Sequence, residues 1–222
     1  MVKRCIVYIF GILILGFGIV LNTKTGLGVA AINSVPYGLS QMTNLTLGNW
    51  TTILYIGFII LQIIIYKKCN LKVLLQFPFS YLMGMILDFY DQLFNFPPQN
   101  MIISIVLLFI AIVLIALGAY LVVAMDFVPN PADGMVNALS YLIHKDFGQM
   151  KWMFDCLMMT ITIIMTLIIS GHVIGIGIGT VLSALLIGRV IQLYAKLFGQ
   201  KLDQIVLSSQ TKRNNEQSIM DI

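Results

Sequence analysis

Residues 129–140 read PNPADGMVNALS. The stretch separates two apolar runs, since neither residues 101–125 nor residues 156–170 carry a charge. Two prolines, two asparagines, an aspartate and a glycine therefore interrupt a chain that is otherwise suited to lipid. In hydrocarbon an unpaired backbone N–H or C=O costs several kcal/mol, so non-helical backbone survives there only where protein or a water-filled cavity covers it. Pro129 and Pro131 disfavour helix just before the break, and Pro131 suits the first position of a new one. The spacing predicts Asn130 as the N-cap and Asp133 at the third helical position, at the positive end of the helix dipole. The expected result is a short half-helix, re-entrant or interfacial, whose free N-terminal N–H groups face a polar space.

The composition around the break agrees. Of 222 residues 59% are hydrophobic and only 10% charged, against about 25% charged in soluble domains; mean hydropathy is +0.95. Six segments approach the length needed to cross a bilayer core at about 1.5 Å per residue. They are 5–22, 49–66, 71–91, 101–125, 150–170 and 173–195. Only helices satisfy their own backbone there, so the expected fold is an all-α polytopic membrane protein whose partner is the lipid bilayer. The apolar run from Cys5 is longer than a usual signal-peptide core, and no strong cleavage site directly follows it, so it reads as a retained first span.

Basic residues orient the chain. With the N-terminus cytoplasmic, the inner segments hold Lys3, Arg4, Lys67, Lys68, Lys72, Lys145, Lys151, Lys196, Lys201, Lys212 and Arg213, and the outer ones only Lys24. That asymmetry places both termini in the cytoplasm and the protein in the cell membrane. The net charge of +4 comes from short clusters rather than a basic stripe, which argues against a nucleic-acid partner. Cys5, Cys69 and Cys156 show no CxxC spacing and read as small apolar fillers. With His144 and His172 the only histidines and no ligand spacing around them, neither a metal nor another cofactor is expected.

A gapless shift of 100 residues aligns the two halves. Gly18 meets Gly118, Gly48 meets Gly148, Leu39-Ser40 meets Leu139-Ser140, and Gln92-Leu93 meets Gln192-Leu193. Asn33 falls on Asp133. Each half then holds three spans and one half-helix. An odd number of spans makes the second half enter from the opposite side, which gives a 3+3 inverted repeat. The expected units are residues 1–99, residues 100–198 and a mobile cytoplasmic tail over 199–222, too polar to bury enough surface on its own. The partner of PNPADGMVNALS in the first half is NSVPYGLS, residues 33–40.

GLGVAAINSVPYGLS with LTLGNWT in the first half, and PNPADGMVNALS, DFGQMKWMFD and VIGIGIGTVLSALLIG in the second, resemble the YczE/YitT-type family of bacterial integral membrane proteins. The resemblance runs to about residue 195 and implies a multi-span inner-membrane protein; it implies no activity. One departure is Ile178 in GIGT, where the resemblance implies an acid.

In known transporters with inverted repeats, paired broken helices place a solute site near the midplane. The candidate lining here is Asn33, Ser34, Asn130, Asp133, Asn137 and Asp155. Asp155 lies within a span, where an ionised side chain costs about 2.5–3.5 kcal/mol at the centre; Lys151, four residues earlier, shares its helix face. Asp88 and Arg189 read as side chains reaching their own interfaces. Gly175, Gly179 and Ser183 recur every four residues and read as a small-residue packing face. No catalytic motif occurs, so no enzyme is expected. The first functional expectation is a small secondary transporter or solute-binding membrane protein for a small solute. The alternatives are a non-transporting membrane-protein partner or assembly factor, and the substrate-capture subunit of an energy-coupled importer.

Overall fold

The computed structural model describes residues 2–68, 70–94 and 100–220, with 200–220 described by their backbone. Cys69 and the expected repeat boundary at residue 99 lie outside the described residues. Nine helices and no strand occur among those described: α1 Val2–Thr23, α2 Ala31–Met42, α3 Leu47–Tyr66, α4 Leu71–Leu74, α5 Gln76–Leu93, α6 Met101–Ala124, α7 Pro131–Ile143, α8 Phe147–Ser170 and α9 Ile178–Met220. Six stretches are long and apolar enough to cross a membrane: α1, α3, α4 together with α5, α6, α8, and α9 as far as Gly199. The polar stretch expected as a tail continues the α9 helix to Met220. At 12 and 13 residues, α2 and α7 reach only about 20 Å and are too short to cross.

Asn130 caps α7 as the spacing predicts, with its side-chain oxygen accepting from the Ala132 N–H at 3.2 Å, and Pro131 is the first helical residue. Helices begin at 31 and 131, and again at 47 and 147, so the hundred-residue register of the sequence is also a register of elements.

The centre of the molecule is the crossing of α1 and α6. Lipid tails are as apolar as leucine, so close packing rather than exclusion from water drives such crossings. Glycine provides the closeness. A Cβ on Gly18 would sit 2.8 Å from the Ile115 backbone nitrogen, and one on Gly118 would sit 2.6 Å from the Leu15 Cα. The two contacts interconvert when 100 is added to one partner and subtracted from the other. A further contact of Gly11 with Leu121 shows that the two helices run antiparallel. Leu15, Ile19, Ala111, Ile112 and Ala116 are buried beside this seam.

A second seam joins α3 to α5, where Gly48 and Gly84 touch and the Thr52 hydroxyl donates to the Ser80 carbonyl at 3.2 Å. Asp88 accepts from the Gly48 N–H and from the Thr46 hydroxyl, both at 2.7 Å. It therefore closes the start of α3 rather than reaching toward an interface, because two unsatisfied donors at a helix start outbid the water. The counterpart seam between α8 and α9 is absent at the equivalent places: Gly148 has open space where a Cβ would stand, and the residue equivalent to Gly84 is Ala184.

The run before α9 departs from the sequence reading. Gly175 precedes the helix and adopts φ +79°, so only Gly179 and Ser183 of the expected small-residue face lie on α9. Residues 171–177 form instead an irregular loop bonded to the segment between α1 and α2. The Val29 N–H donates to the Gly175 carbonyl and the Gly179 N–H to the Leu27 carbonyl, each at 2.8 Å. Gly28, at φ +105°, makes this approach possible, because a Cβ there would lie 2.5 Å from the Gly177 nitrogen. Gly28→Ala should destabilise the fold by about 1–3 kcal/mol through strain and overlap. Thermal melting in detergent measures this, and an unchanged melting temperature would show that the two loops part without loss.

Candidate functional site

Polar side chains gather at two levels. The first lies toward the end of the bundle where α3 ends at Tyr66 and α8 begins at Phe147, the end that carries Lys67, Lys72 and Lys151. Here the N-terminus of α7 abuts α3, α5 and α8. Tyr55 is 1% exposed, and Asn130 and Asp133 both stand near enough to act on its hydroxyl. Lys151 and Asp155 in turn are the charges that act on Asp133. Lys151 and Asp155 form an ion pair at 2.7 Å in which the Asp155 side chain is 9% exposed. Lys151 thus pairs with Asp155, while Asp133 stands in the first turn of α7, where the helix dipole favours negative charge.

Below this cluster Gln62 and Gln76, each 1% exposed, bond to one another in both directions. Their Nε2 to Oε1 distances are 3.0 and 3.1 Å. Gln62 Nε2 also donates to the Pro131 carbonyl at 3.2 Å, which ties α3 and α5 to the start of α7. A cavity of about 400 Å³ opens beside the pair, lined among others by Tyr66, Asn70, Lys72, Gly134 and Asn137.

The second level lies toward the opposite end, where α2 meets α8. The hydroxyls of Ser34 and Thr162 are 2.7 Å apart and both residues are fully buried. The Ile174 N–H donates to the Thr166 hydroxyl at 3.4 Å, and Gly175 packs on the Tyr37 ring. Asn33 is buried, and the Asn22 side-chain oxygen accepts from the Ala30 N–H at 2.7 Å. A smaller pocket of about 140 Å³ lies between α2, α3 and α5 and is lined by Tyr37, Asp88 and Asp91 among others; Asp91 is held by Lys24 at 2.7 Å.

The six residues expected to line one site therefore divide. Asn130, Asp133 and Asp155 share the first cluster, Asn33 and Ser34 belong to the second, and Asn137 lies exposed on the cavity wall. Asp155 and Thr162 stand seven residues apart on α8, about 10 Å along the axis. Gln62, Gln76, Tyr55 and Thr162 were not among the expected residues. Gln62 carried a signal, as the lone amide within FIILQIIIY, residues 58–66. A buried amide in a span needs a partner, and the Gln76 that supplies it stands in a different span.

The levels are related by the hundred-residue register. The Ser34–Thr162 pair corresponds to residues 134 and 62, and Gly134 does pack on Gln62, a Cβ there falling 2.6 Å from the amide oxygen. Beyond this contact they differ. At the basic end Tyr66, Asn70, Lys72 and Asn137 border open space. At the other end the corresponding Thr166, the 171–177 loop and Tyr37 are bonded and packed together.

Comparison with known proteins gives a family without a role. Residues 2–196 match the model of a family of unknown function, DUF6198. The chain is 29% identical over 190 residues to the uncharacterized protein YyaS of Bacillus subtilis (strain 168), covering 84% of this chain and 90% of the relative. It is 27% identical over 199 residues to the uncharacterized membrane protein YczE of the same organism, covering 86% and 85%. No solved structure matches.

Proposed function

The chain belongs to the DUF6198 family, whose description assigns no activity, and from the site alone we propose that it is a small secondary transporter or solute-binding membrane protein. Its two halves act as an inverted repeat, and the space facing the basic, cytoplasmic end is one of two alternating entrances. The observation that carries the reading is the unequal state of two equivalent places. The interface at Gln62, Tyr66, Gly134 and Asn137 borders a cavity of about 400 Å³. Its counterpart at Thr162, Thr166, Ser34 and Tyr37 is held by the Ser34–Thr162 hydroxyl contact and the bonded glycine loop. Two halves of similar sequence that hold different conformations can exchange them, and that exchange is alternating access by rocking of one repeat against the other. The antiparallel α1–α6 crossing and its reciprocal glycine contacts support an axis in the membrane plane. Asp133, Asp155 and Lys151 supply an intramembrane charge cluster of the kind that couples movement to a proton or cation.

The test uses single cysteines at 34 or 137 in a background with Cys5, Cys69 and Cys156 replaced, labelled with a membrane-impermeant maleimide from each side in oriented vesicles. Cysteine at 137 should react rapidly from the basic side. Cysteine at 34 should react slowly and only from the other side, and its modification should slow reaction at 137 in the double variant. If position 34 reacts from neither side, or if the two sites react independently, the transporter reading fails and a static partner or assembly factor takes its place.

A further inference from the structure

Resting on the solute-binding reading above, we propose that the cavity at the basic end recognises an uncharged solute bearing a donor and an acceptor side by side, a primary carboxamide or a lactam, and that Gln62 and Gln76 read that edge. The first ground is charge. The cavity walls carry amides at Gln62, Asn70, Gln76 and Asn137 and a phenol at Tyr66, with no carboxylate among them. The cation on the rim, Lys72, is already matched by Asp126 at 2.7 Å. Neither an anion nor a cation entering this space finds an unpaired counter-charge, and burying an unpaired ion is costly. The volume of about 400 Å³ falls within the range of small-molecule sites.

The second ground is the glutamine pair. Each side chain shows the other one N–H and one C=O, in bonds of 3.0 and 3.1 Å. A solute carrying the same edge can take the place of either glutamine bond for bond. The glutamine that stays bonded keeps both of its hydrogen bonds, and the displaced amide turns into the open cavity that both side chains line, where water meets it. A solute with acceptors alone would leave a glutamine oxygen buried without a donor, and that deficit is what makes such sites selective. Gln62 also donates to the Pro131 carbonyl, and Gly134 packs on both amides. Rearranging the pair therefore disturbs the start of α7, beside Asp133, and this links occupancy to the charge cluster.

Three probes of one shape separate the possibilities: benzamide, benzoate and benzamidinium, with uracil as a lactam. Thermal melting of the detergent-purified full chain should rise by a few degrees, saturably, with benzamide and uracil at millimolar concentration, because a ligand that binds only the folded state stabilises it. Benzoate and benzamidinium should leave it unchanged. Gln76→Glu should transfer the response from benzamide to benzamidinium, a change of preference that a merely structural role would not produce. Should that variant not fold, Asn137→Asp at an exposed position should add a benzamidinium response. No shift with any probe, or equal shifts with benzamide and benzoate, overturns the proposal. The maleimide experiment needs no solute, so transport geometry and solute class fail separately.

Discussion

Gly118→Leu is expected to prevent assembly of the native bundle, and Gly118→Ala to weaken it measurably. The contact a side chain would meet is backbone. A Cβ at 118 would lie 2.6 Å from the Leu15 Cα and 2.7 Å from the Leu15 Cβ, and a main chain inside a helix has no rotamer by which to withdraw. The helices must then separate along the whole α1–α6 seam, where Gly11 and Gly18 are packed as closely. Overpacking commonly costs about 1–3 kcal/mol and occasionally more. The leucine variant belongs beyond that range, because it forfeits the van der Waals contact that holds spans together when there is no difference in polarity to do so. Gly57→Leu is the internal control, since nothing lies within 4 Å of a Cβ there; it should melt at the temperature of the parent or above, helped by the higher helix propensity of leucine. Thermal melting of the three variants in one detergent is the measurement. Equal stability of Gly118→Leu and Gly57→Leu would refute the close crossing.

The second large effect concerns the ion pair of α8. Lys151→Met should destabilise the protein by about 3–5 kcal/mol, the range for removing one member of a buried pair. The Asp155 side chain is 9% exposed and loses its partner at 2.7 Å, while Asp133 remains as a like charge nearby. Lys151→Met combined with Asp155→Leu should regain most of the loss, since an apolar pair of similar size leaves no charge to be desolvated. A single variant as stable as the parent would mean that water reaches Asp155 freely. Under the proposed function the double variant should fold yet lose the mutual protection between positions 34 and 137, which separates the contribution of the charges to stability from their contribution to movement.

Much of the architecture was legible because lipid imposes simple rules. The half-helix at α7 could be placed to the residue: Asn130 is its cap and Pro131 its first position, a consequence of proline geometry and of orphan N–H groups that hold in any context. The six apolar stretches follow from length alone. The register of 100 residues survived as matched helix starts at 31 and 131 and at 47 and 147. The Lys151–Asp155 pair was equally open to reading, because i and i+4 side chains share a helix face.

The reading went astray where a residue's role depends on a distant partner. Asp88, expected to face its own interface, closes the start of α3 forty residues earlier in the chain. Gly175 continues the helical spacing of Gly179 and Ser183 in sequence, yet it lies in a loop whose carbonyl is taken by Val29. The expected single ring of Asn33, Ser34, Asn130, Asp133, Asn137 and Asp155 resolves into two levels, because the equivalent contacts of α2 and α7, Ser34 on Thr162 and Gly134 on Gln62, lie toward opposite ends of the bundle.

The sequence by itself determined that this chain has six helices long and apolar enough to cross lipid, that two short polar segments interrupt them, and where the second of these, α7, begins. These are consequences of local chemistry: apolar length, proline, caps and charge. Only the tertiary structure decided that one of two equivalent interfaces borders a cavity while the other is bonded together, and that two glutamines from different spans bind each other at that cavity. Segments of similar sequence can settle into unequal shapes because packing between helices has discrete solutions, and which segment takes which solution is set by contacts that no single segment contains.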